Sequence, residues 1–135
     1  MSDEPDAERL NIEAFEAFSA RAGEGPLVML NLLAFKPDGG EERYGEYAAA
    51  TAPLLAKVGG RLLSAYRSGP TLIGGEEWDV VALVEYPTRG AFLEMIGSEE
   101  YQAITHMRTE SLRAAALIPM DPSDEGGNVL PRDTA

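Results

Sequence analysis

Residues 25 to 37, GPLVMLNLLAFKP, are a nearly continuous apolar run between a Gly-Pro pair and a Pro-Asp-Gly-Gly turn signal. A strand with one wet face alternates apolar and polar side chains, whereas an unbroken run belongs to a strand covered on both faces. The stretch predicts a central strand in a layered fold, and the rest of the chain has to supply its covering.

The one polar side chain inside this run is Asn31. A buried amide without partners costs about 1–3 kcal/mol. Asn31 therefore either satisfies a neighbouring backbone group or tyrosine hydroxyl, or points into a polar pocket beneath covering helices.

Periodicity supplies the neighbours. Residues 6 to 22 read as a helix, with Leu10, Ala14, Phe15 and Phe18 on one side and Gly23 as its stop. From Glu41 to Val58, Tyr44, Tyr47, Ala48, Thr51, Leu54, Leu55 and Val58 gather on one helical stripe, which Pro53 is expected to bend and Gly59-Gly60 to end. RLLSAYRSG, residues 61 to 69, and WDVVALVEYP, residues 78 to 87, alternate as strands. Thr88 can cap a following helix that pauses at Gly97 and restarts at Ser98, with Glu99 and Glu100 favourably placed in its first turn. SLRAAALIPM, residues 111 to 120, is the last strand, and the polar Gly/Pro-rich remainder is a tail.

After the first helix the order is strand, helix, strand, strand, helix, strand. That is the split βαβ pattern, an α+β, ferredoxin-like four-stranded antiparallel sheet with its helices on one face. The division expected is an N-terminal helical extension over 1–25, the domain over 26–120 and the tail over 121–135. The second sheet face, carrying Val80, Ala82 and Val84 or their alternates, cannot remain wet at this size, so a homodimer pairing sheet against sheet is expected.

With 135 residues and 44% hydrophobic content, the chain suits one domain with one core. Acids outnumber bases by 23 to 11, which argues against nucleic acid and against an acidic membrane surface as partners. No cysteine is present, so disulfides, thiolate nucleophiles and Cys-based metal sites are excluded. The N-terminus has no signal-peptide pattern and no apolar stretch has the length of a membrane span, so a cytoplasmic protein is expected.

The segments VMLNLLAFK, GGRLL, EEWDVVALVEYPTRGAFLEM, EEYQAITHMR and SLRAAALIPM together resemble domain-of-unknown-function family 1330 of the dimeric α/β-barrel superfamily. The resemblance covers roughly residues 26 to 120. It implies a ferredoxin-like protomer that pairs into a dimeric barrel. Superfamily relatives include cofactor-independent monooxygenases, muconolactone-isomerase-like enzymes, haem-degrading enzymes and proteins with no known catalysis, so fold alone selects no activity.

Candidate site residues have a functional and a structural reading each. His106, the sole histidine, has an ordinary pKa near neutrality, but the helical wheel puts it on a flank beside Gln102, with Ala103, Ile104 and Met107 as the buried stripe. Tyr101 and Arg108 share the other flank, where Arg108 can hold a carboxylate or enolate or pair with an acid such as Glu94. Tyr44 and Tyr47 can reach the space beside Asn31 or sit as rim aromatics with wet tips. Trp78 is an anchor at an interface or a platform for substrate, and it points away from Asp79. Asp79 and Glu85 are possible bases, or partners of Arg61, Arg67 or Arg113.

Two functions remain open. One is a small-molecule enzyme of isomerase or cofactor-independent monooxygenase type acting on an enolisable or aromatic substrate. Its catalytic candidates are His106, Arg108 and Asn31, its substrate-binding candidates Tyr44, Tyr47, Arg67, Trp78 and Tyr101, and it needs no cofactor or metal. The other is a non-catalytic ligand-binding or assembly module.

Overall fold

The computed structural model describes residues 9–122. Eight elements follow one another: α1 (Ile12–Ser19), β1 (Leu27–Phe35), α2 (Gly40–Lys57), β2 (Arg61–Arg67), β3 (Val80–Tyr86), α3 (Arg89–Gly97), α4 (Glu99–Ser111) and β4 (Leu112–Met120). The sheet order is β2-β3-β1-β4 and every pairing is antiparallel. The apolar run thus becomes a central strand, as its lack of alternation requires. The fold is α+β and ferredoxin-like.

Register assigns the faces. Leu27, Met29, Asn31, Leu33 and Phe35 share one side of β1, opposite Tyr86, Val84, Ala82 and Val80 of β3. Leu27, Met29 and Tyr86 join Phe18, Tyr47, Phe92, Met95 and Tyr101 in the core, so this is the side the helices cover. The other face carries rows running across all four strands: Tyr66, Val81, Leu32, Ala116, and then Ser64, Leu83, Leu30, Ile118.

Local chemistry sets the helix ends. Asn11, Thr88 and Ser98 cap α1, α3 and α4 by accepting the N–H of Ala14, Ala91 and Tyr101. Ser98 also donates to the Met95 carbonyl, so one serine closes α3 and opens α4. Gly59 ends α2 with φ of 84°, a left-handed conformation that suits glycine.

Several expectations are corrected. The first helix starts at Ile12, capped by Asn11, not at residue 6; residues 6–8 and the tail beyond Pro122 lie outside the described residues. Helix α2 runs through Pro53 as one element, in keeping with its expected end at Gly59-Gly60; the hydrogen bond that Pro53 forfeits falls between Ala49 and Pro53, both on the exposed side where water can take the carbonyl. The third strand starts at Val80, leaving Trp78 and Asp79 in the preceding loop. Among the described residues Asp79 makes no close ion pair with an arginine, though its charge acts on Arg67; its carboxylate accepts the Phe35 N–H at 2.8 Å, where the β1–β4 register shifts, and its own N–H donates to the Leu33 carbonyl. The Arg61–Glu85 pairing forms as expected, at 2.9 Å.

The inward stripe of α4 is Tyr101, Ile104, Arg108 and Ser111, and Ala103 is exposed. Of the expected stripe, Ile104 and Met107 do turn inward, Met107 packing against the core, while Ala103 gives its place to Tyr101, which meets a tyrosine of α2. Among the described residues no helix is long and apolar enough to cross a membrane.

Candidate functional site

Helices α2 and α4 lie side by side over the sheet. Three-residue spacing places Tyr44 and Tyr47 on one side of α2, and seven-residue spacing does the same for Tyr101 and Arg108 on α4. The four side chains meet. The Tyr47 and Tyr101 hydroxyls are 2.7 Å apart and buried, with their rings edge to face at 6.2 Å. Tyr44 stacks at a tilt on Tyr47 at 5.2 Å and on Phe35 at 5.6 Å.

Burial fixes the protonation of these phenols. It raises the pKa of Tyr44, and the charge of Arg108 and its hydrogen bond to that hydroxyl offset part of the rise. Tyr47 is raised much further, first by burial and then by Tyr101, and burial also raises Tyr86. At neutral pH the Tyr44 and Tyr47 hydroxyls are neutral beside one guanidinium, suited to donating hydrogen bonds to an oxygen that carries negative charge. One turn along α2, the Thr51 hydroxyl oxygen is buried without a hydrogen bond.

Asn31 faces the helix side of the sheet. Its row there is Ala65, Ala82, Asn31 and Leu117, and the small alanines leave Asn31 only half-buried despite its central strand. Its amide donates to the Met29 carbonyl at 3.4 Å, at the long end for such a bond. The side chain keeps capacity for a better partner.

The fold thus brings Tyr44, Tyr47, Tyr101 and Arg108 together and puts Asn31 on the floor under the helix layer. It does not bring the others to them. His106 is exposed, roughly 140 to 160 degrees around α4 from Tyr101 and Arg108 at about 100 degrees per residue. Arg67 is exposed and pairs with Glu41 at 2.6 Å. Trp78 is half-buried in the loop before β3.

One charged residue escaped the sequence reading. Arg89, the first residue of α3, has a side chain only 4% exposed; it lies over the Phe18 ring and pairs with Asp121 at 3.1 Å. Its Nε and Nη1 are buried without hydrogen bonds. Its spacing from Phe92 and Ile96 on the inward side of α3 was the available signal.

Two surface grooves accompany these features, of about 430 Å³ at Gly23–Pro26, Asp121 and Pro122, and about 340 Å³ around Phe35, Gly40 and Asp79. Neither is lined by the tyrosines, Asn31 or Arg108, so the larger groove is not where the polar chemistry collects. Among the described residues no group of three or more His, Asp or Glu side chains is placed to hold a metal ion.

The family model described as Domain of unknown function (DUF1330) matches residues 39–120. The chain belongs to the DUF1330 family. A similar solved structure, the RPA0582 protein of unknown function from Rhodopseudomonas palustris, is 31% identical over 90% of this chain and 99% of its own, with a TM-score of 0.79. A dimeric ferredoxin-like protein of unknown function from Jannaschia sp. CCS1 has 19% identity, a TM-score of 0.57, and coverage of 73% of this chain and all of its own. Another from Bacteroides fragilis, also described as dimeric and ferredoxin-like, has 16% identity, a TM-score of 0.50, and coverage of 73% and 98%. These last two are similar in fold alone. No curated protein matches this DUF1330 chain significantly.

Proposed function

We propose that this DUF1330 protein works as a homodimer that binds a small organic molecule bearing an acidic or enolisable oxygen next to an aromatic ring. The observation that carries the reading is the convergence of three tyrosines, Tyr47 and Tyr101 buried and Tyr44 half-buried, around Arg108. Arg108 and the Tyr44 hydroxyl hold the charged oxygen, the tyrosine rings offer an apolar wall, and Asn31 supplies an amide from the sheet. His106, facing solvent, has no part in this arrangement. Chemistry on such a ligand begins with loss of its acidic proton to solvent, giving an enolate or phenolate whose oxyanion charge Arg108 and Asn31 stabilise; reprotonation at another atom is the isomerase kind, and reaction of the anion with dioxygen as the oxidant is the cofactor-independent monooxygenase kind.

The open sheet face supports the homodimer. Val28, Leu30, Leu32, Val81, Leu83 and Ile118 form a contiguous apolar surface there, and two such faces bury one another as packed sheets do. Two proteins of the same fold are described as dimeric. In this reading the dimerising domain spans 26–120, and α1 is an extension docked on α3 through Phe18 and Phe92, whose rings meet edge to face at 5.6 Å.

A non-catalytic assembly module is the second reading. The mutual bond between Tyr47 and Tyr101 favours it, because those hydroxyls are satisfied without a ligand. Thermal unfolding with a panel of phenols, aromatic hydroxy acids and 1,3-dicarbonyl compounds separates the two. The ligand reading expects a compound that raises the wild-type midpoint and does not raise that of Arg108→Ala or Asn31→Ala. A folded dimer indifferent to the whole panel leaves the assembly reading standing.

A further inference from the structure

The segment between β2 and β3, residues 68–79, is fastened at its base and along its length. The Ser68 N–H donates to the Asp79 carbonyl at 2.8 Å. Arg113 on β4 reaches the Glu76 carboxylate at 3.8 Å and the Glu77 carbonyl at 3.3 Å. Between these ties the loop closes on itself, with the Thr71 hydroxyl donating to the Glu76 carbonyl at 2.5 Å and Gly74 at φ of 130°. Its shape is held by backbone and polar contacts, and none of them uses the two large apolar side chains at its tip. Leu72 and Ile73 are each 96% exposed.

Single exposed apolar residues are ordinary, but adjacent ones held out by a fastened loop forgo the stabilisation that burial of each would supply. We propose that this loop is a dimerisation arm whose tip, Leu72 and Ile73, packs against a second copy of the chain beyond the end of the sheet-on-sheet contact. The inference rests on the homodimer reading and names a further part of that interface.

Continuity with the open face points to a second copy as the occupant. Tyr66, 62% exposed beside Val81 on the open face, lies at the root of the arm and extends the apolar surface toward it. In a two-fold dimer each arm contributes once from either side, adding four large side chains to the contact.

Sedimentation of the full chain over a range of concentrations tests this, comparing wild type, Leu72→Ser/Ile73→Ser and Leu30→Asp. The expected result is a wild-type dimer and an arm variant whose dissociation constant rises by about a hundredfold or more. A dimer abolished by Leu30→Asp but unchanged by the arm variant overturns the arm and leaves the homodimer intact. A wild type that stays monomeric overturns both. The absence of cysteine gives a second readout, because Leu72→Cys provides a unique thiol. A polarity-sensitive fluorophore there is expected to shift to the blue as protein concentration crosses the dissociation constant, and constant emission overturns the arm.

Discussion

The hydroxyls of Tyr47 and Tyr101, 54 positions apart in the chain, meet at 2.7 Å between α2 and α4. Each is the partner that keeps the other from being a buried, unsatisfied polar group. Tyr47→Phe leaves the Tyr101 hydroxyl stranded, and the expected cost is about 1–2 kcal/mol in urea unfolding. Tyr101→Phe is expected to cost a similar amount. The double variant removes both polar groups, so its loss falls below the sum of the two. Strict additivity would show that the hydroxyls do not depend on one another.

The same burial makes the protein sensitive to base. Tyr47 has a pKa raised above its ordinary value of 10.0, with burial the main cause and Tyr101 the next. The unfolded chain releases this proton near pH 10 while the folded chain retains it, so stability is full below about pH 10 and declines as the pH climbs beyond it. Tyr44 and Tyr86 shift the same way and add to the decline. The thermal midpoint is expected to be level from pH 7 to 9 and to drop by pH 11, with a shallower drop in Tyr47→Phe.

The scaffold was largely legible because it is written in local chemistry. The unbroken apolar run required a strand covered on both faces, Gly59 and Ser98 marked helix ends by conformation and capping, and the alternation of β3 gave two faces. Half of the candidate site was legible in the same way, since helical spacing puts Tyr44 and Tyr47 on one stripe. The other half depended on the rotation of α4. The flank shared by Tyr101 and Arg108 and the inward side of Ile104 and Met107 were legible from spacing, but the weakly patterned sequence put Ala103 on the buried stripe where the contact with Tyr47 places Tyr101, and Ala103 faces water. Asp79 was misread for a related reason. Its partner, the Phe35 N–H, is freed by an irregularity in strand pairing, and nothing in the residues flanking Asp79 announces that.

That backbone contact gives a third test. Asp79→Ala removes the acceptor for Phe35 at the register shift, and its expected cost is about 1–3 kcal/mol. Amide exchange locates the effect: the Phe35 N–H is expected to lose protection while Met29 and Leu33 in the middle of β1 keep theirs. Unchanged protection at Phe35 would count against the assigned role.

Arg89 poses a different balance. Its guanidinium is buried, two of its nitrogens lack hydrogen bonds, and its ion-pair partner Asp121 is half-exposed. Arg89 hydrogen-bonds the Asp121 carboxyl and so holds its pKa below the ordinary 3.8 against the opposing effect of desolvation, and the charges of Arg89 and Arg21 reinforce the lowering. A depressed carboxylate contributes stability above its unfolded pKa that is lost as the pH falls through the folded value, so this contribution is expected to disappear below about pH 4. Solvent screening at Asp121 reduces the usual cost of breaking a buried pair, and Asp121→Ala is expected to lose about 1–2 kcal/mol at pH 7. Adding Arg89→Met replaces the uncompensated cation with an apolar side chain that still packs on Phe18. If desolvation of Arg89 governs this corner, the double variant is more stable than Asp121→Ala alone. A double variant less stable than the single would instead mean that Arg89 holds α1 and α3 together through its own contacts.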